Sequence, residues 1–252
     1  STITTLGTTN LNMSNIKIVN TNNKVAIELN TPTNTILYNN ITTNTNAINV
    51  INSTTLTINY NNITATGTSN VTAISIKNSK TSLNIQYNNI KTTGPSLPVD
   101  WITGRVGTNS LEILNTTRMI ISYNNITTTY NSENGEYDTI YSINIVNPEH
   151  LTLPNQIYSN NIYTYGNNYA YGINMINQSV YLMHDNIITK AKVQATGVQA
   201  TQSSSYILGG GTYGIINIDF ISSSPYAYGV VLSLCDDLTI QGNNFKLNGT
   251  NS

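Results

Sequence analysis

The tetrapeptide Tyr-Asn-Asn-Ile occurs four times in the sequence, at Tyr38–Ile41, Tyr60–Ile63, Tyr87–Ile90 and Tyr123–Ile126. Weaker copies, such as His184-Asp185-Asn186-Ile187, bring the total to nine, and successive copies lie 22 to 36 residues apart. An internal repeat of this length is typical of solenoid proteins. With the second Asn as the anchor of each copy, the anchors are Asn15, Asn40, Asn62, Asn89, Asn125, Asn161, Asn186, Asp219 and Asn244.

Residues of the same type also recur at two fixed distances from the anchors. Four positions before the anchors stand large aliphatic residues: Leu11, Ile36, Ile58, Ile85, Ile121, Ile157, Leu182, Ile215 and Ile240. The position after the anchor is Ile in seven copies, and then Phe220 and Phe245. Most copies also hold a second segment, such as Ala73-Ile74-Ser75-Ile76, in which apolar and mostly polar residues alternate as in a half-buried strand. Because such a unit buries its apolar face only by stacking on its neighbours, we predict an all-β solenoid of about nine coils, on the order of 40 Å long.

The composition excludes several classes of protein. Charged residues make up 8% of the chain and the net charge is -1, so no basic face is available for nucleic acid. Apolar runs are only a few residues long, which is too short for a membrane-spanning helix. The regularly placed Ile residues and 17 Tyr supply the apolar surface that disordered chains lack. We therefore expect no nucleic-acid partner and no membrane insertion.

The pattern Ile-x-x-Asn-x-Ile/Phe, as in Ile58-Asn59-Tyr60-Asn61-Asn62-Ile63, resembles the repeat of right-handed parallel β-helix proteins. The richness in Asn, Thr and Tyr is similar to that of the adhesin-like surface proteins of methanogenic archaea. This resemblance implies that residues 1–252 form one single-stranded, right-handed parallel β-helix domain within a larger secreted protein. It also implies an extracellular, cell-surface location, with glycans or proteins of other cells as partners. It leaves the oligomeric state open.

The repeated Asn residues are candidates for a structural ladder, in which stacked side-chain amides bond to one another along the axis. The first candidate column consists of Asn40, Asn62, Asn89, Asn125, Asn161, Asn186 and Asn244. One residue earlier runs a second column, namely Asn39, Asn61, Asn88, Asn124, Asn160 and Asn243. The family pattern puts the earlier column inside, whereas this sequence keeps the later one more strictly, so both remain open. Asp185 and Asp219 stand at ladder positions, either solvated or sharing the ladder's donors.

The column Tyr38, Tyr60, Tyr87 and Tyr123 has two interpretations. Its aromatic faces stack against sugar rings or a partner protein, or its rings shield the ladder's backbone from water.

Three coils are longer than the rest and are expected to carry loops, where binding residues concentrate. The first insertion contains Trp101 and Arg105, and a third holds Ser203–Ser205 and Gly209–Gly211. Because the first two insertions arise from neighbouring coils, they are expected to meet along one edge and form a ligand-binding site. The candidate residues of that site are Trp101, Arg105, Tyr130, Glu133, Glu136, Tyr137, Asp138 and His150.

Oxygen atoms of Asn131, Glu133, Glu136 and Asp138 offer a possible calcium site, but their spacing does not match an EF-hand loop. We therefore predict no metal and no cofactor, with calcium as the alternative. Of nine Asn-x-Ser/Thr sequons, those at ladder positions are expected to be buried. The better glycan acceptors are then Asn52, Asn70, Asn115 and Asn177.

Catalytic patterns are missing from the sequence. No column of acids faces a column of bases on neighbouring coils, and hydrolysis of glycosides needs two carboxylates at a defined separation. The sequence therefore favours a non-catalytic adhesin-like module that binds glycans or partner cells. The alternatives are a carbohydrate-active enzyme, either a polysaccharide lyase or a glycoside hydrolase, and a passive structural stalk.

Overall fold

The structure, a computed structural model, describes residues 3–7, 10–79, 82–95, 97–98, 107–131, 138–148, 155–208, 219–223, 225–235, 239–241 and 244–249. These residues form 28 β-strands, and none of them lies in a helix. No helix in this part of the chain is therefore available to cross a bilayer.

Sheet A runs along one side of the molecule. Its strands are β1 (Ile3–Leu6), β4 (Ile27–Asn30), β7 (Ile48–Ile51), β10 (Thr72–Lys77), β14 (Asn109–Leu114), β17 (Asp138–Val146), β20 (Tyr169–Ile176), β23 (Gln194–Thr201) and β26 (Tyr226–Ser233), with the short β13 (Leu97–Pro98) added beside β17.

Sheet B contains β2 (Leu11–Ser14), β5 (Thr33–Leu37), β8 (Thr55–Asn59), β11 (Ser82–Gln86), β15 (Met119–Ser122), β18 (Asn155–Tyr158), β21 (Ser179–Met183), β24 (Ser204–Leu208) and β27 (Thr239–Gln241). Sheet C contains β3 (Lys17–Asn20), β6 (Asn40–Thr43), β9 (Asn62–Thr66), β12 (Asn89–Gly94), β16 (Asn125–Tyr130), β19 (Asn161–Tyr165), β22 (Asn186–Lys190), β25 (Asp219–Ser223) and β28 (Asn244–Asn248).

The chain visits the three sheets in a fixed order. Each coil contributes one strand to sheet A, then one to sheet B and one to sheet C, and strands of successive coils pair in parallel. Nine such coils make a parallel β-helix, so the predicted fold class is confirmed. We number them coil 1 to coil 9 from the N-terminus.

The core consists of apolar columns stacked in register. In sheet B, Ile58, Ile85 and Ile121 lie directly over one another, and in sheet C, Ile63, Ile90 and Ile126 do the same. All six side chains are fully buried. Burial of one such side chain contributes about 1.5–3 kcal/mol, and no coil achieves it alone, which is why the fold exists only as a stack.

Two coils differ from the predicted register. In coil 1, Met13 pairs with Ile36 and Lys17 with Asn40, so the members of the columns are Met13 and Lys17 instead of Leu11 and Asn15. In coil 8, Ile207 takes the position predicted for Ile215, since it lies between Leu182 and Ile240. The extra residues of coil 8 connect β24 to β25, and Ser204–Leu208, which includes part of the predicted third insertion, is itself strand β24.

A chain of buried hydroxyl groups alternates between sheets C and A as it runs along the axis from coil 4 to coil 6. Thr92, Ser110, Thr128, Ser142 and Thr164 follow one another with Oγ to Oγ distances of 2.9, 2.7, 2.9 and 2.7 Å. All five residues are fully buried. Because each hydroxyl both donates and accepts, the chain satisfies these polar groups without water.

Candidate functional site

The corner between sheets B and C is built around a column of buried amides, here called the inner ladder. It consists of Asn39, Asn61, Asn88, Asn124 and Asn160, and ends at Asp185. The Asn side chains each donate from Nδ2 to the next residue's Oδ1 over 2.8–3.1 Å, and their backbone N–H groups donate to the same oxygen over 2.8–3.0 Å. The column that faces inward is therefore the earlier of the two open alternatives.

The later column forms a second chain of amides at the surface, here called the outer ladder. It consists of Asn40, Asn62, Asn89, Asn125, Asn161 and Asn186, whereas the side chain of Asn244 lies outside the described residues. The Nδ2 of Asn89 donates to Oδ1 of Asn62 over 3.0 Å, and Asn125 bonds to Asn89 over 3.3 Å. Because Asn40, Asn62 and Asn125 are exposed, the expectation that sequons at ladder positions are buried was wrong for this column.

Each inner-ladder residue follows a single residue in the left-handed region, which turns the chain from sheet B to sheet C. Tyr38, Tyr60, Tyr87 and Tyr123 occupy this position in coils 2 to 5, with φ between 56° and 59°. The same position holds Asn15, Ser159 and His184 in other coils. Left-handed backbone costs an ordinary L residue roughly 1–2 kcal/mol, and Gly or Asn adopts it more easily. The four tyrosines are therefore not the residues that the turn itself prefers.

The four rings form a continuous stack, here called the tyrosine row. Successive ring centroids are 4.9 Å apart, and the planes differ by 3° to 11°. The rings remain 44–55% exposed. Their faces are turned toward one another, so stacking of a sugar on a ring inside the row, which was one prediction, is excluded. The row presents ring edges and phenol hydroxyls at the spacing of the coils.

Partial desolvation by neighbouring groups, followed by repulsion from the phenols of Tyr123 and Tyr60, raises the pKa of Tyr87 above its usual value. The shift favours the neutral phenol, which can donate a hydrogen bond.

Threonines continue this surface on the far side of the outer ladder. Thr42, Thr64, Lys91 and Thr127 lie in register on the outward side of sheet C. Beyond them, Thr93 and Thr129 are joined through their hydroxyls over 3.0 Å. The tyrosine row, the outer ladder and these threonines together form a surface that we call the polar face. Within coils 2 to 5 it carries one charge among these positions, that of Lys91.

Two of the predicted insertions meet. Residues 95–108 connect β12 to β14 and residues 131–137 connect β16 to β17, so both lead from sheet C to sheet A on adjacent coils. The first insertion reaches the start of the strand that follows the second, where β13 pairs antiparallel with β17, with Leu97 opposite Thr139 and Pro98 opposite Asp138. Residues 149–154 connect β17 to β18 instead, at the corner between sheets A and B. In chain order, the segment that carries His150 thus leads from sheet A to sheet B, whereas the segment that carries Trp101 leads from sheet C to sheet A.

Most residues predicted for the insertion site lie outside the described residues, namely Trp101, Arg105, Glu133, Glu136, Tyr137 and His150. Asp138 begins β17, and the Tyr130 ring meets the Tyr165 ring edge-on at 5.3 Å. Of the predicted calcium ligands, Asn131 uses its Nδ2 to donate to the carbonyl of Gly67 over 2.8 Å. Within the described part of the chain, no three His, Cys, Asp or Glu residues gather as a metal site would require.

Asp185 is the one acidic member of the inner ladder. It is fully buried, and its Oδ1 accepts from the backbone N and from Nδ2 of Asn160, both over 2.8 Å, while Oδ2 has no partner. Burial raises the pKa of this carboxyl to about 7, although the hydrogen bonds from Asn160 oppose the shift. Of the two alternatives for Asp185, it therefore shares the ladder's donors and is not solvated.

A second pair of stacked rings was missed in the sequence. Tyr141 and Tyr171 lie in register on sheet A, with centroids 5.0 Å apart. Burial raises the pKa of Tyr171 to about 12 and raises that of Tyr141 further. Each precedes the aligned Ile143 or Ile173 by two residues, so aligning the second strand segments would have found the pair. Tyr141 is buried and Tyr171 is half-buried, so the pair belongs to the packing more than to an open surface.

Neither a protein-family model, nor a curated protein sequence, nor a solved structure matches this chain.

Proposed function

We propose that this protein is a non-catalytic, adhesin-like binding module, displayed at a cell surface, that engages glycans through its polar face. The observation that carries the proposal is the tyrosine row, in which four half-exposed aromatic residues occupy left-handed turn positions on successive coils.

The cost of that arrangement supports a role in binding. The turn accepts Asn15 and Ser159 with similar φ values, so tyrosine is not required by the backbone. Stacking of two aromatic rings contributes about 0.5–1.5 kcal/mol, which is comparable to the backbone cost and leaves little net gain in stability. Exposed tyrosines are common in binding surfaces, because they offer a large rigid area and a polar hydroxyl at low entropic cost.

The chemistry of the polar face indicates the kind of partner. Phenols, amides and threonine hydroxyls donate and accept hydrogen bonds but carry no charge, which suits a neutral, hydroxyl-rich ligand better than an ionic one. The groups repeat at the coil spacing over four coils. An extended glycan chain lying along the axis would meet the same set of groups several times, and repeated weak contacts of this kind add up to avidity.

The proposal is tested by binding to a glycan array and to whole cells with the wild type and the double variant Y60A/Y87A. The matched control is Y226A, because Tyr226 and Tyr87 are both 44% exposed while Tyr226 lies on sheet A, away from the polar face. We expect Y60A/Y87A to lose at least about tenfold in apparent affinity, equivalent to about 1.4 kcal/mol, and Y226A to change it by less than about twofold.

Two further measurements separate this proposal from its rivals. Loss of binding in W101A but not in Y60A/Y87A would move the site to the first insertion. Release of reducing or unsaturated ends from polysaccharides would indicate an enzyme, and binding to no glycan and no cell would indicate a passive stalk; either result overturns the proposal.

A further inference from the structure

We propose that the tyrosine row is also a modification site, at which one-electron oxidation couples adjacent phenols into dityrosine and joins neighbouring coils covalently. This inference is independent of glycan binding, since it depends only on how the four rings are held.

The backbone holds the four rings at a constant separation. The N–H groups of Tyr38, Tyr60 and Tyr87 donate to carbonyls of the next coil over 3.1–3.2 Å. All four tyrosines share nearly the same φ, so their side chains leave the corner in the same direction. Equivalent ring carbons of neighbouring tyrosines therefore face each other across about one coil spacing.

The exposure of the rings allows both access and movement. Because the rings of the row are about half exposed, an oxidant reaches them, and their side-chain torsions can bring two ortho carbons together. Among the described residues, the other tyrosine pairs with a ring contact lack one of these conditions, including Tyr130 and Tyr165, whose planes differ by 63°. Tyr141 and Tyr171 are stacked, but Tyr141 is buried, and the ring of Tyr158 stands at 83° to that of Tyr123.

The reaction requires an oxidant, for which we specify hydrogen peroxide used by a haem peroxidase. Each of two phenols loses one electron and one proton and becomes a phenoxyl radical. The radicals form a carbon–carbon bond between their ortho positions, and the two ortho hydrogens then move to the oxygens and restore both phenols. In total the protein loses two hydrogen atoms per bond, and one hydrogen peroxide is reduced to two water molecules.

The product resembles a disulfide in its effect on the fold. A bond between Tyr60 and Tyr87 closes a loop that spans one complete coil, which restricts the unfolded chain. Cross-linked protein should therefore unfold at a higher temperature than untreated protein.

The test treats the purified protein with peroxidase and hydrogen peroxide and compares two double variants. Y60F/Y123F leaves Tyr38 and Tyr87, which are separated by a phenylalanine, so no adjacent phenols remain in the row. Y38F/Y123F removes the same number of hydroxyls but leaves Tyr60 and Tyr87 side by side. Both variants keep four aromatic rings, so a difference between them does not come from lost stacking.

We expect dityrosine fluorescence and a mass loss of two hydrogens per bond in monomers of the wild type and of Y38F/Y123F, and at least a tenfold lower yield in Y60F/Y123F. Trypsin cleaves after Lys77, between Tyr60 and Tyr87, so linked peptides identify the bond in Y38F/Y123F. Equal yields in the two variants would overturn the proposal, and so would cross-links found only between molecules.

Discussion

Coils 2 to 5 and coils 6 to 7 make the same corner between sheets B and C with different residues. In coils 2 to 5 the left-handed position is always tyrosine, whereas coils 6 and 7 have Ser159 and His184 there, with φ of 56° and 58°. The inner ladder runs without a break from one region to the other, from Asn124 to Asn160 over 2.9 Å and to Asp185 over 2.8 Å. The buried amide is therefore common to both regions, whereas the exposed residue before it varies without a change in the turn.

The largest effect should come from breaking the ladder itself. Asn88 donates from Nδ2 to the carbonyl of Ile58 over 2.7 Å and to Asn124, and its Oδ1 accepts from Asn61. Replacement of Asn88 by Ala leaves several buried groups without partners, and we expect a loss of about 3–5 kcal/mol in the free energy of unfolding.

Chemical denaturation measures that loss, and the neighbouring variant N89A is its control. Asn89 belongs to the exposed outer ladder, so N89A should cost less than about 1 kcal/mol. Similar losses in the two variants would show that the inner ladder has no special role.

The second largest effect concerns the end of the ladder. The carboxyl of Asp185 has a pKa raised from 3.8 to about 7, so the folded protein binds a proton that the unfolded chain releases. The stability that this group contributes is therefore fully present below about pH 4, is lost as the pH rises to about 7, and stays constant above that.

The variant D185N should remove this dependence, because an amide supplies the donor that the ionised carboxylate lacks. At pH 8 we expect D185N to be more stable than the wild type by about 2–4 kcal/mol, and near pH 3.5 we expect little difference. Thermal unfolding across this range measures both values. His184 is exposed beside Asp185, so H184S serves as the control and should not show the gain in stability of D185N at pH 8.

The smallest effect on stability should come from exchanging the surface residue of the turn. The variant Y87S places the residue of coil 6 in coil 4, which removes two stacking contacts but keeps the ladder. Since each contact contributes about 0.5–1.5 kcal/mol, we expect the free energy of unfolding to fall by about 1–3 kcal/mol. A loss as large as that of N88A would mean that the tyrosine row supports the fold, and would weaken its assignment to binding.

Much of the fold could be predicted from the sequence, because apolar residues such as Ile58, Ile85 and Ile121 repeat in step with the anchors. The first coil was misassigned because Asn15-Ile16 has the same Asn-Ile sequence as the anchor pairs of the other coils. An error of two residues in register also leaves every side chain on the same face of a strand. Alternation therefore could not exclude it. In coil 8, the extra residues after β24 moved the strand of sheet B away from its anchor, so Ile215 was chosen in place of Ile207.

The inward column of amides could have been identified from the sequence. Ile41 follows Asn40 directly, and in a strand whose Ile points inward the preceding residue points outward. The same rule places Asn62 and Asn89 outside. The unpartnered Oδ2 of Asp185 could not be predicted from the sequence. It depends on which donor groups the stacked coils place beside that carboxyl. The insertion residues Trp101 and Arg105 remain a prediction.

The direction of hydrogen bonding in the inner ladder has a consequence for how the protein is assembled. The backbone N–H of Asn88 donates to Asn124 of the following coil, and its Nδ2 donates both to Asn124 and to Ile58 of the preceding coil, so part of its donors lack a partner until Asn124 is in place. If coils add in order from the N-terminus, each docked coil therefore presents hydrogen-bond donors that the next coil satisfies. Asp185 differs from the other members of the ladder, because its ionised side chain has no N–H to donate to a further coil.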